Sequence, residues 1–307
     1  MIVLNALFPI FGLLALGSLL KSLGLTTDEY LKKSDRLVYY IFFPIMLFYK
    51  VGGAPHGQGD ELAFTAATLL VLVLMYIIST LVIIFGPVTD FEAGSFSQSC
   101  YRFNTYIGVA VILNSLGEAG IAYFGIMIAF AIPTVSVFAV ATLIWFSGYD
   151  ADLVKRIRIF VKALVGNPLI IGSLLGAAYS RLAGGFPEFI DNTLALMSMV
   201  TLPLALLSVG GVLSFRGIRK YLSLSLLGAL LKLMILPLLG FCVYNFFHID
   251  GTAFKAGMIF MCLPVSTTIY VLSSQLNSDT ELASASIVIS TLLSFVSLSA
   301  VLLLTSG

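Results

Sequence analysis

Asn104 and Thr105 lie in "CYRFNTYIGVAVILNS" (100–115), and Pro264, Ser266, Thr267 and Thr268 lie in "CLPVSTTIY" (262–270). Both stretches are apolar enough to be helical, yet each sets side-chain hydrogen-bonding groups beside something that weakens a helix. Pro264 lacks a backbone donor and clashes with the preceding turn, and Gly108 loosens the other stretch. Together they offer an amide NH2, four hydroxyls and the backbone N–H groups that an interrupted helix sets free. The chemistry this suits is the holding of an anion, because bare carboxylate in hydrocarbon is very costly. Freed N–H groups at a half-helix N-terminus add partial positive charge, and neutral donors release what they bind. Asn104 and Thr267 are expected to make the most direct contacts.

Lys232, in "ALLKLMILP" (229–237), lies 13 positions after Arg219. At ~1.5 Å per residue it is roughly 20 Å beyond that charge, too deep to snorkel easily. An intramembrane charge is a functional candidate: it attracts an anion, alternates between substrate and an internal acceptor, or carries a proton. The competing reading is a structural lysine that caps carbonyls freed by Pro237 or by a broken helix.

Hydropathy indicates the elements that must position these groups. The chain has 307 residues, 59% hydrophobic and 10% charged, with a mean hydropathy of +1.07. A soluble domain of this length needs a more charged surface, so the fold class is an all-α polytopic membrane protein. Runs able to cross ~30 Å of hydrocarbon lie near 4–23, 36–53, 61–85, 97–117, 119–146, 158–182, 188–213, 219–247, 252–275 and 280–304. A net charge of +1 implies no nucleic-acid partner. Cys100, Cys242 and Cys262 show no metal-ligand spacing and read as packing residues. His56 and His248 read as solvated, Glu118 and Gln275 as span-end groups, and Asp279 and Glu281 as dipole partners opening the last span. Asn167 and Pro168 read as a helix entry. No catalytic dyad and no nucleotide-binding loop is visible, so neither an enzyme nor an ATP-driven pump is expected, and no cofactor.

Lys and Arg set the orientation. With the N-terminus outside, cytoplasmic ends carry Lys21, Lys32, Lys33, Arg36, Arg102, Lys155, Arg156, Arg158, Lys162, Arg216, Arg219 and Lys220, against Lys50, Arg181 and Lys255 outside, 12 to 3. Both termini are therefore expected to be extracytoplasmic. The stretch 146–160 reads as an amphipathic linker on the membrane surface.

One offset of 159 maps Pro9 to Pro168, Gly17 to Gly176, Pro44 to Pro203 and Gly52 to Gly211 without a gap. It also sets the first five spans on the last five. Five is odd, so the second half runs inverted: 1–148 is one five-helix repeat, 149–157 a cytoplasmic linker and 158–307 the other repeat. Inverted repeats whose broken helices meet near the midplane are a signature of secondary transporters. The offset sets Pro264 opposite Thr105, so both halves weaken the same span at one depth, which predicts a crossover of spans 4 and 9. The competing reading is that Pro264 only kinks a packed helix, with Ser266, Thr267 and Thr268 bonded to their own backbone.

The stretches "RFNTYIGVAVILNSLGEAG" (102–120), "GNPLIIGSLLG" (166–176) and "CLPVSTTIYVLSSQL" (262–276) resemble the auxin efflux carrier family, which includes plant PIN-type exporters and bacterial malonate- and malate-type permeases. The resemblance covers essentially the whole chain. It implies a fold like that of the bile acid:sodium symporters, with spans 1, 2, 6 and 7 as scaffold and spans 3–5 and 8–10 as an elevator-like transport domain. It implies an organic-anion substrate, a bacterial inner-membrane location and, from the plant members, a homodimer. Asn104 matches the family's crossover asparagine and Pro264 its crossover proline. Thr105 stands where plant members have a second proline, and Ser136 where "PxxN" is common. Spans 4 and 9 lack carboxylates at the crossover, which disfavours sodium coupling. The alternatives are an anion channel, which lacks a filter loop or charged ring here, and a transport-dead receptor of the same fold.

Overall fold

The computed structural model describes residues 2–53, 61–146, 166–182, 185–213, 218–275 and 278–305. Among them the chain is helical. The helices are α1 (Ile2–Ser22), α2 (Asp28–Leu37), α3 (Phe43–Gly52), α4 (Glu61–Phe85), α5 (Asp90–Tyr101), α6 (Thr105–Phe146) and α7 (Pro168–Leu182). They continue with α8 (Glu188–Val212), α9 (Ile218–Leu230), α10 (Leu236–Phe246), α11 (Gly251–Met261), α12 (Thr268–Gln275) and α13 (Thr280–Leu304). Wider π-type turns, Val38–Phe42 and Leu231–Ile235, join α2 to α3 and α9 to α10. Each lies two residues before a proline, Pro44 or Pro237, whose missing donor and ring clash a widened turn accommodates. The linker 146–160 and His56 fall outside the described residues, apart from Phe146.

By length and hydropathy, six described stretches are able to cross a membrane: Val3–Ser22, Leu62–Phe85, Asp90–Thr142, Glu188–Val212, Ile218–Phe246 and Thr280–Leu304. Pro168–Leu182 is a shorter apolar helix. Large apolar side chains such as Phe8, Phe85, Leu196, Val296 and Leu304 lie exposed, as a lipid-facing surface requires. The Asp90–Thr142 stretch has 53 residues and would reach roughly 80 Å if straight, so it must fold back on itself. It is interrupted at 102–104, and at Gly117 the backbone leaves the helical region, with φ 65° and ψ −152°. That turn gives α6 two arms, 105–116 and 118–146. Glycine takes the positive φ without steric penalty.

Sequence hydropathy places the start of the fourth span at 97, whereas α5 begins at Asp90. Polar residues at Ser95, Ser97, Gln98 and Ser99 hide the helix from a hydropathy window, yet all four are buried. Ser95 Oγ reaches Ser273 Oγ at 2.7 Å and the Asp279 carbonyl at 2.6 Å, so its polarity is spent between helices. The shift corrects one assignment. Arg102, counted as a charge at a cytoplasmic end, is 6% exposed and lies in the interruption between α5 and α6. The orientation tally becomes 11 to 3.

Two sets of helices pack among themselves. In one, α1 lies along α8 and α3 along α7, with α2 and α3 also against α8. In the other, α4, α5, α6 and α9 to α13 interlock. The sets meet mainly where α6 touches α1, α3 and α7. Close approach fixes the first set. An ideal Cβ at Gly17 would fall 2.2 Å from the Leu207 carbonyl oxygen, and one at Gly176 would fall 2.9 Å from that of Phe48.

Candidate functional site

The interruptions in the two hydroxyl-bearing stretches touch. The Asn104 backbone N–H donates to the Pro264 carbonyl at 2.9 Å. Phe103 and Phe260 pack edge to face beside this contact, with ring centroids 4.5 Å apart.

Three backbone groups beside Pro264 find partners outside helix α11, as a buried break demands. The Met261 carbonyl accepts from Lys232 Nζ at 3.3 Å, and that of Cys262 from Ser297 Oγ at 3.1 Å. Val265 N–H donates to Ser290 Oγ at 3.1 Å. The polar residues of α13 thus face α11 and α12 to support the break.

At the other interruption Asn104 acts as an N-cap. Its Oδ1 accepts from Tyr106 N–H at 3.1 Å and Ile107 N–H at 3.2 Å, and its backbone carbonyl accepts from Gly108 N–H at 2.9 Å. Asn104 is 3% exposed. Its carbonyl oxygen is therefore committed to the α6 N-terminus, and only the amide NH2 remains for other chemistry. Thr105, the first residue of α6, is half-buried.

The three hydroxyls after Pro264 play different parts. Ser266 Oγ accepts from Thr268 N–H at 3.3 Å and lies 2.9 Å from Thr268 Oγ1, a local cap of α12. Ser266 and Thr267 are half-buried and Thr268 is exposed. Two helix N-termini, of α6 and α12, thus begin at the junction where the C-termini of α5 and α11 end. A cation faces the α11 end, where Lys232 donates to the Met261 carbonyl, and Arg102 follows α5 in the chain. Basic groups at helix C-termini oppose the dipole's negative end.

Lys232 is fully buried and lies 5.8 Å from the Phe260 ring centroid. Of its two readings, the carbonyl bond matches the structural one. Arg102 is the residue that sequence reasoning misplaced. Its Nη2 donates to Ser136 Oγ at 3.3 Å, and Ser136 Oγ itself donates to the Ile132 carbonyl at 2.7 Å. Position 136, which departs from the common family pattern, is thereby tied to the junction. A capping box that opens α5 would have exposed the error: in "TDFE" (89–92), Thr89 N–H and Oγ1 both donate to Glu92 Oε2, at 2.9 and 2.7 Å.

Tyr106 also reaches outward from the junction. Its hydroxyl donates to Asp35 Oδ1 at 3.3 Å. Asp35 lies one residue before the second hydrophobic run, in α2. Burial raises its carboxyl pKa above the ordinary 3.8, and the Tyr106 hydrogen bond partly offsets that rise.

Other sequence readings find their places. Asn167 Oδ1 accepts from Leu169 and Ile170 N–H and so caps α7. Asp279 Oδ1 accepts from Glu281 and Leu282 N–H at 2.9 Å and caps α13, and its Oδ2 also takes the Tyr221 hydroxyl. Glu118 pairs with Lys50 at 2.8 Å.

A profile described as "Membrane transport protein" matches residues 2–302. The chain belongs to this family, the auxin efflux carrier family. An uncharacterized transporter of Methanocaldococcus jannaschii is 22% identical over 302 residues, 95% of this chain and 95% of the relative. An uncharacterized transporter of Methanothermobacter thermautotrophicus is 24% identical over 301 residues, 96% of this chain and 95% of the relative. This member of the auxin efflux carrier family is an integral membrane protein and a transporter rather than an enzyme.

Proposed function

We propose that the protein is a secondary carrier of small organic anions, binding a carboxylate at the junction of the two interrupted helices and moving it by an elevator-type alternation. The observation that carries this reading is the hydrogen bond from Asn104 N–H to the Pro264 carbonyl. It brings together the only two stretches that the sequence singles out for mid-span donors.

The reading treats the chain as ten spans in two inverted halves, and symmetry in the packing supports it. Under the offset of 159, Gly17 against Leu207 becomes Gly176 against Phe48, and both close approaches occur. Thr201 Oγ1 donates to the Phe42 carbonyl at 3.3 Å, and the offset maps 42 onto 201. Residues astride a two-fold axis meet their own counterparts in this way. The two helix sets supply a scaffold (α1–α3, α7, α8) and a moving body (α4–α6, α9–α13). An anion is favoured over a cation because two helix N-termini and two buried cations converge on the junction. Hydrogen-bond donors at the junction, with no ring of charge among the described residues, favour a carrier over a channel.

The test is uptake into proteoliposomes of a panel of mono- and dicarboxylates, with and without Na⁺ and pH gradients. Saturable uptake of at least one carboxylate, inhibited by its analogues, is expected. Unsaturable flux, or binding without flux, would replace the carrier with the channel or the receptor.

A further inference from the structure

Two cations are buried among the described residues, Lys232 and Arg102, and each donates to one neutral oxygen at 3.3 Å. Lys232 donates to the Met261 carbonyl at the end of α11. A point charge on a flexible stem suits that task. Arg102 spreads its charge over a fork of which only Nη2 is engaged, by Ser136 Oγ. Its Nε is buried without a hydrogen-bond partner, and among the described residues no carboxylate lies within ion-pair distance of it. The titratable groups that act on it electrostatically are tyrosines, Tyr101 and Tyr39.

A buried charge with no counter-ion is costly unless one arrives. Guanidinium presents five donors in a flat fork that matches a carboxylate with two parallel bonds. Arg102 also stands two residues before Asn104, where the α6 N-terminus opens. The seryl hydroxyl that holds it has its own proton committed to Ile132, so Ser136 acts as an acceptor that fixes the fork.

We infer that Arg102 is the counter-charge for a single carboxylate of the transported solute, positioned by Ser136, and that the site is matched to monocarboxylates. This rests on the carrier reading. Of the two buried cations, Arg102 alone has a buried nitrogen without a hydrogen-bond partner, which provides for one carboxylate.

Wild type and the variants R102Q, R102K and S136A are reconstituted, and uptake of labelled acetate and lactate is compared with that of malonate and succinate. Wild type should prefer the monocarboxylates in kcat/KM. R102Q should raise KM for them by at least about tenfold, R102K should recover part of the loss, and S136A should raise KM with kcat kept. Wild-type KM in R102Q, or a wild-type preference for dicarboxylates, overturns the inference while leaving the carrier reading intact. A wild type that moves none of the four fails the carrier reading in this arm, before any variant is compared. Should R102Q fail to fold, S136A and R102K decide: unchanged KM in both overturns the inference.

Discussion

At the scale of single residues, the Lys232 bond to the Met261 carbonyl separates a structural role from a transport role. Replacing it by methionine keeps the volume but leaves the Met261 carbonyl without the donor it has at 3.3 Å. An orphaned buried acceptor costs about 1–3 kcal/mol. K232M should therefore melt several degrees lower in detergent while its uptake per folded molecule stays near wild type. Unchanged melting with lost uptake would assign the lysine to the substrate instead. Asp35 supplies a pH-dependent counterpart. Because burial raises its pKa in the native state, the folded protein holds this proton more tightly than the unfolded chain. Its contribution to stability is complete below the unfolded value and is lost as pH rises through the native one. The melting temperature of D35N minus that of wild type should thus increase between about pH 4 and about pH 7. A difference that is flat or falls would contradict the raised native pKa of Asp35.

At the scale of elements, glycine contacts decide how closely helices approach. A methyl group at Gly17 would meet backbone, not a side chain that can swing aside. G17A should cost about 1–3 kcal/mol as overpacking, read as a lower unfolding temperature, and G176A, with its looser 2.9 Å approach, should cost less. Equal stability of all three proteins would refute the packing of α1 on α8. Much of this level was legible in the sequence. The apolar runs at 61–85 and 280–304 coincide with α4 and α13. Pro264 and the hydroxyls around it marked a break rather than a simple kink because the repeat pairs them with Asn104 and Thr105. The beginning of α5 was not legible to hydropathy, since Ser95 and its neighbours bury polar groups by bonding across helices that are remote in sequence. Arg102 was misplaced for the same reason. The α2 helix, amphipathic and charged before the second run, also escaped a search for apolar stretches.

At the scale of the whole molecule, transport by an elevator requires the two helix sets to slide past each other. Asn114 Nδ2 donates to the Ala6 carbonyl at 3.4 Å across their boundary. Cysteines at 6 and 114, with Cys242→Ser to remove the exposed native thiol, should cross-link under oxidation. Uptake should then fall by at least about tenfold and return on reduction, because a bridge across the boundary forbids the relative motion. Full uptake by the cross-linked protein would mean that the sets do not move apart there.

The central claim is that substrate passes through the junction of the interrupted helices, where Asn104 meets Pro264. Counterflow in proteoliposomes preloaded with unlabelled carboxylate tests it most directly, with wild type and N104A compared at equal amounts of folded protein. Loss of the cap should cost N104A only about 1 kcal/mol of stability. The account predicts a transient overshoot of labelled carboxylate in wild type that N104A reduces by at least about tenfold. An overshoot in N104A equal to that of wild type would contradict it.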